Sequence, residues 1–156
     1  SAPPTDTPNW HYKQLYDEMT ELSGGLAGVP SSDGRAFFGI TCEVVDPGQY
    51  VTFRYSFPEA RRASSSGALV QIRVDKRPMF EDKWFTVKNV AVAGYPDQVS
   101  KLIAELNGAK EIMLRARDYE DQTVDSKFNV EGAETAIRWV LNECGWSKYP
   151  KRDKRR

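Results

Sequence analysis

The side chains able to do chemistry in this 156-residue chain are few and scattered. Glu81 and Asp82 stand side by side just ahead of Trp84, and two carboxylates near an aromatic ring are what glycoside hydrolysis would use. With 22 acids in the chain, however, adjacency alone says little. Asp118, Glu120, Asp121 and Asp125 offer hard oxygen donors at short intervals, as calcium requires. Their spacing does not match an EF-hand loop and lacks its central glycine, so a solvated hairpin turn is expected instead. His11, the single histidine, lies beside Trp10 and reads as a surface group rather than a general base. Zinc would need several Cys or His ligands at short spacing, and none exists. GxSxG, P-loop and dinucleotide fingerprints are absent. These readings name no catalytic residue, metal ligand or cofactor.

The two cysteines carry a different message. Cys42 falls in the middle of an apolar alternating run, and Cys144 ends the last expected helix, just before Gly145 and Trp146. Joining them closes a loop of about a hundred residues, for which chain entropy allows up to ~4.7 kcal/mol of stabilisation. Such a bond lasts only in an oxidising compartment, which implies a periplasmic or secreted protein. Two buried, reduced cysteines in a cytosolic protein are the alternative. The start at Ser1-Ala-Pro-Pro, without an apolar leader, suits a mature export product or a trimmed chain.

Binding chemistry has two further sources. Aromatic residues make up 12% of the chain, and Trp10, Tyr50, Tyr55, Trp84, Phe85 and Tyr95 could form a stacking surface for a glycan or peptide if they do not fill the core. Trp10, Trp84 and Tyr95 are the chosen candidates. The C-terminal run contributes Lys148, Lys151, Arg152, Lys154, Arg155 and Arg156 against one acid, a local +5 in a formally neutral chain, leaving −5 on the first 147 residues. Such a tail is expected to be solvated and flexible, with an anionic surface or acidic protein as its natural partner. For an exported protein, nucleic acid is not expected. No run approaches the ~18 apolar residues of a transmembrane helix.

The elements that position these groups follow from periodicity. Residues 1–9, with three prolines, read as a disordered lead-in, and residues 10–147 as a single α+β domain. Trp10 to Tyr16 is a first strand, whereas Leu22 to Gly34 has the composition of a loop. Ala36 to Val45 and Tyr50 to Phe57 alternate around an Asp46-Pro47-Gly48 turn, the clearest hairpin in the chain. Ala68 to Val74 is another strand, and Trp84 to Ala93 is one bent strand or two short ones. Pro96 opens a helix that Gly108 stops. Lys110 to Arg117 and Val124 to Phe128 form a second hairpin, and a final helix starts near Asn129 or Val130 and ends at Gly145. Without a βαβ rhythm, the expected fold is an antiparallel sheet or sandwich of about seven or eight strands covered by two helices.

Several segments carry a resemblance: QIRVDKRP at 71–78 followed by Trp84, LNGAK at 106–110, MLRAR at 113–117, KFNVEGA at 127–133 and CGW at 144–146. Over residues 10–146 the chain resembles small exported bacterial proteins that include type VI secretion accessory proteins and invasion-associated locus B relatives. That resemblance implies a periplasmic or surface-associated domain, a Cys42–Cys144 disulfide, and an accessory or binding role without catalysis. The basic tail lies outside the pattern. A non-enzymatic envelope binding protein with a protein partner is therefore expected. The alternatives are an inhibitor or immunity-like protein using Ser64–Gly67 or Ala93–Asp97, and a hydrolase using Glu81 or Asp82.

Overall fold

The computed structural model describes residues 1–45, 48–58 and 61–150. Among the described residues, nine strands and two helices follow in the order β1 (His11–Asp17), β2 (Leu22–Pro30), β3 (Phe37–Val45), β4 (Gly48–Ser56), β5 (Ala68–Val74), β6 (Phe80–Val87), β7 (Val90–Ala93), α1 (Pro96–Leu106), β8 (Glu111–Arg117), β9 (Thr123–Asn129) and α2 (Ala133–Glu143). All strand pairings are antiparallel, and the strands form one open sheet in the order β1-β2-β3-β4-β7-β6-β5-β8-β9.

Alternation sets the inner face. Phe38, Ile40 and Cys42 of β3, Val51, Phe53 and Tyr55 of β4, and Val70, Ile72 and Val74 of β5 are buried as their period of two requires. The sheet folds back on itself, so strands distant in its order meet across the core. The Phe128 ring of β9 lies 5.6 Å from Phe38 and 5.9 Å from Tyr55, and the Tyr55 and Ser126 hydroxyls are 2.6 Å apart. The segment from Trp84 to Ala93 resolves into two strands, β6 and β7, joined at Lys88, whose φ of 58° is left-handed.

The segment from Leu22 to Gly34, expected as a loop, is corrected by the structure: its first nine residues are β2. Glycine is poor in strands by intrinsic preference, but here it permits close approach. A Cβ on Gly24 would collide with the backbone carbonyl of Cys42 in the neighbouring strand. Gly25, on the opposite face, leaves room for Trp139 of α2, whose ring would lie 3.1 Å from an added Cβ.

The final helix also begins later than expected. Gly132 is its N-cap in a left-handed conformation, φ 89°, and Ala133 is the first helical residue. Thr7 packs against Gly132 so closely that a Cβ there would meet its methyl at 2.6 Å. The lead-in expected to be disordered therefore lies along the domain: Thr7 is buried, its hydroxyl is 2.5 Å from that of Tyr12, and the Ser1 carbonyl accepts a hydrogen bond from Gln14. Tyr12 in turn meets Trp139 edge-on at 5.1 Å, so α2 covers the inner face of β1 to β3. Cys42 and Cys144 form the disulfide that fastens the end of this helix to β3. Among the described residues, no helix is long and apolar enough to cross a membrane.

Candidate binding surface on the outer face of the sheet

The residues of opposite parity to the core make the outer face, and around β7 and the adjoining ends of β4 and β6 much of that face is apolar. In the register Arg54 lies opposite Val92 and Val92 opposite Phe85, while Val87 faces Val90 across the β6–β7 turn. These side chains, with Val45, Tyr50 and Tyr95, line a trough of about 690 Å³. Val45, Tyr50, Phe85, Val87 and Tyr95 are all exposed, Tyr95 by 70%. Gly94 keeps part of the floor low, since a Cβ there would press on the Phe85 ring at 3.2 Å. Charge enters the lining through Arg54, which pairs with Glu43 in an ionic hydrogen bond, and through Lys88 at the turn.

Tyr95 is held at the rim by the start of α1. It is the residue immediately before Pro96, and its carbonyl accepts the Val99 amide at 3.0 Å. Its own amide faces the Gln98 side chain, which also donates to the Lys83 carbonyl at 2.8 Å. The helix N-terminus is thus tied to β6, and the ring is left outside.

Of the three aromatic residues chosen from sequence, only Tyr95 is exposed. Trp10 is buried, its indole N–H donating to the Glu131 carbonyl at 3.0 Å, and Trp84 is fully buried in the core. Both corrections have the same cause: each ring packs inward, where it excludes the most water. Within the wider aromatic set the division follows strand parity. Tyr50 and Phe85 point out into the trough, whereas Tyr55 points in. Burial, partly offset by the hydrogen bond with Ser126, pushes the Tyr55 phenol up to about 12. The aliphatic part of the trough, Val45, Val87, Val90 and Val92, was not read from the sequence. Its signal was available, because once Trp84 is placed inward its neighbour Phe85 and then Val87 must face outward.

The carboxylates singled out from the sequence do not line the trough. Glu81 and Asp82 are consecutive in β6, so their side chains leave opposite faces of the strand and do not converge. Asp118 closes the β8–β9 turn, accepting the backbone N–H groups of Glu120 and Gln122 and the Arg61 guanidinium at 2.5 Å. Burial works to raise its carboxyl, and those hydrogen bonds with the nearby cation overcome it, leaving it below the usual range. Asp125 is held low chiefly by its two-pronged contact with Arg115, at 2.7 and 2.8 Å. Asp121 faces Arg117. Among the described residues, no three His, Cys, Asp or Glu side chains gather closely enough to hold a metal ion.

Of the basic run, Lys148 is exposed at the end of the domain, next to Tyr149, which stacks on Trp146 with ring centroids 5.8 Å apart. Lys151, Arg152, Lys154, Arg155 and Arg156 lie outside the described residues, as does the Asp46-Pro47 portion of the hairpin turn.

Fold and surface together define a disulfide-fastened, open antiparallel sheet covered on its inner side by helix and presenting an apolar trough on its outer side. Among solved structures the chain is similar to invasion associated protein B from Bartonella henselae, with a TM-score of 0.58, 12% identity, and coverage of 91% of this chain and 97% of that one. At this identity the likeness is one of fold. No family model matches the chain, and no curated protein matches it.

Proposed function

We propose that this protein is a non-enzymatic, exported binding or accessory module whose partner is another protein of the bacterial envelope or cell surface, engaged through the outer-face trough. The observation that carries the reading is the run of exposed Val45, Tyr50, Phe85, Val87 and Tyr95 along one concavity, for which the chain itself supplies no cover among the described residues. Clustered apolar side chains in a concave patch lose water when a partner docks, and aromatic anchors do so at low entropic cost. The disulfide supports a periplasmic or secreted location, because such a bond lasts only under oxidising conditions. The name of the structural neighbour, invasion associated, is in keeping with a role outside the cytoplasm. Service to a type VI secretion system belongs to the same proposal as its narrower form, and the fold likeness adds no support to it.

An inhibitor of an envelope hydrolase is the second reading, favoured by Tyr95 alone, which the Ala93–Asp97 segment offers outward at the trough rim. Capture from an envelope extract tests both. Immobilised wild-type protein should retain a stoichiometric partner that Phe85→Ser, expected to leave the fold intact, fails to retain. A hydrolase in the eluate whose activity is suppressed selects inhibition. Equal retention by both proteins removes the trough from the account.

A further inference from the structure

We propose that the partner supplies an extended segment that adds as a strand beside the open half of β4, with every second side chain entering the trough. This rests on the trough being the binding surface and specifies how it is filled.

The inference comes from unequal strand lengths. β4 has nine residues and β7 only four, so β7 pairs with Phe53 to Ser56 and leaves Gly48 to Thr52 outside the ladder on that side, with Gly94 still lying against Thr52. Backbone direction is fixed by one bond. Phe57 N–H donates to the Asn89 carbonyl at 2.8 Å, so in an antiparallel ladder the amides and carbonyls of Tyr55, Phe53, Val51 and Gln49 point the same way. Tyr55 and Phe53 meet Ala91 and Ala93. Val51 would meet Tyr95 next, but the Tyr95 carbonyl is taken by the Val99 amide and its own amide is turned to Gln98. The chain has left the sheet for α1 one residue too soon to complete the ladder.

The two sides of this gap are treated differently. On the β6 side the Lys83 carbonyl is capped by the Gln98 side chain. On the β4 side, among the described residues, no group hydrogen-bonds the main chain of Gln49 or Val51 from that direction. An uncapped main-chain edge beside an apolar concavity matches one ligand form, an extended segment, whose main chain supplies the ladder bonds and whose alternate side chains fill the pockets. The fit calls for apolar residues at every second position, facing Tyr50, Phe85 and Tyr95.

The test begins with the free protein. Amide hydrogen exchange should run about 100-fold faster at Gln49 and Val51 than at Phe53 and Tyr55, because the first pair has no ladder partner. Equal protection at all four would overturn the proposal. The probe is a synthetic heptapeptide alternating threonine and valine. Saturating peptide should slow exchange at Gln49 and Val51 at least about tenfold, and the same peptide N-methylated at every second residue, on the edge meant to face β4, should lose that effect. No slowing by the unmodified peptide, or equal slowing by both, contradicts strand addition. Concentration-dependent dimerisation that Phe85→Ser abolishes would assign the edge to a second copy and also overturns it. These results are separable from the trough reading, which stands or falls on capture by Phe85→Ser.

Discussion

The Cα atoms of Cys42 and Cys144 lie 6.4 Å apart across a disulfide that joins the middle of β3 to the residue ending α2, 102 positions later in the chain. Both residues are buried, so the bond is internal to the packed interface between helix and sheet. Removing it with the paired substitutions Cys42→Ser and Cys144→Ser should lower the unfolding free energy by about 2–5 kcal/mol, the range for native disulfides closing long loops. Denaturant titration of the two proteins measures the difference, and an unchanged midpoint and slope would show that the helix is held by packing alone.

Neighbouring residues in β6 should respond oppositely to truncation. Trp84 is fully buried, and Trp84→Ala should cost about 3–5 kcal/mol through lost contact and cavity. Phe85 is half exposed on the other face, and Phe85→Ser should cost only about 1 kcal/mol, the share of its ring that is packed. Thermal or chemical unfolding followed by circular dichroism checks the pair. A large loss from Phe85→Ser would mean that the outer face is already packed in the free protein.

Glycine in β2 is predicted to be a steric requirement. Gly24→Ala would drive its Cβ into the Cys42 carbonyl, which belongs to main chain and cannot swing aside, at an expected cost of about 1–3 kcal/mol. Gly48→Ala, with nothing among the described residues within 4 Å of the new atom, should change stability by no more than about 0.5 kcal/mol. Comparable unfolding midpoints for the two variants would contradict the packing of β2 on β3.

Tyr55 gives the protein a distinct alkaline response. Its phenol is raised from 10.0 to about 12 by burial, against the opposing hydrogen bond with Ser126. Below pH 10 the phenol is protonated in both folded and unfolded chains, and its contribution is complete. Between pH 10 and about 12 the unfolded chain loses the proton while the folded one keeps it, so up to about 3 kcal/mol of stability is lost across that window. Stability measured from pH 9 upward should fall more steeply for wild type than for Tyr55→Phe. Parallel curves would show that the phenol is not held in its neutral form.

Sequence pattern revealed the parts of this molecule whose partners are local. The β3–β4 and β8–β9 hairpins, α1 with its Pro96 start and the apolar stripe of α2 all follow from periodicity and turn chemistry, because strand alternation and helix repeat act over a few residues. β2 was hidden because Gly24, Gly25 and Gly28 speak against a strand locally and for one only when Cys42 and Trp139 are already in place. Thr7 was hidden for the same reason, its partner Gly132 being remote in sequence. The trough was half legible. Tyr95 was read as exposed, while the valines beside it belong to an apolar run whose outward members cannot be told from its inward ones until one residue is fixed. Trp10 and Trp84 misled because large aromatic rings serve cores and binding surfaces alike.

Site-specific crosslinking reads out the outer-face trough as a docking surface. A photoreactive amino acid placed at Tyr95, on the trough rim, is compared in an envelope preparation with one placed at Tyr119, which is 74% exposed in the β8–β9 turn. A discrete protein adduct should form from position 95 and none from position 119. An adduct from 119 with none from 95 would place the partner elsewhere and contradict docking at the trough.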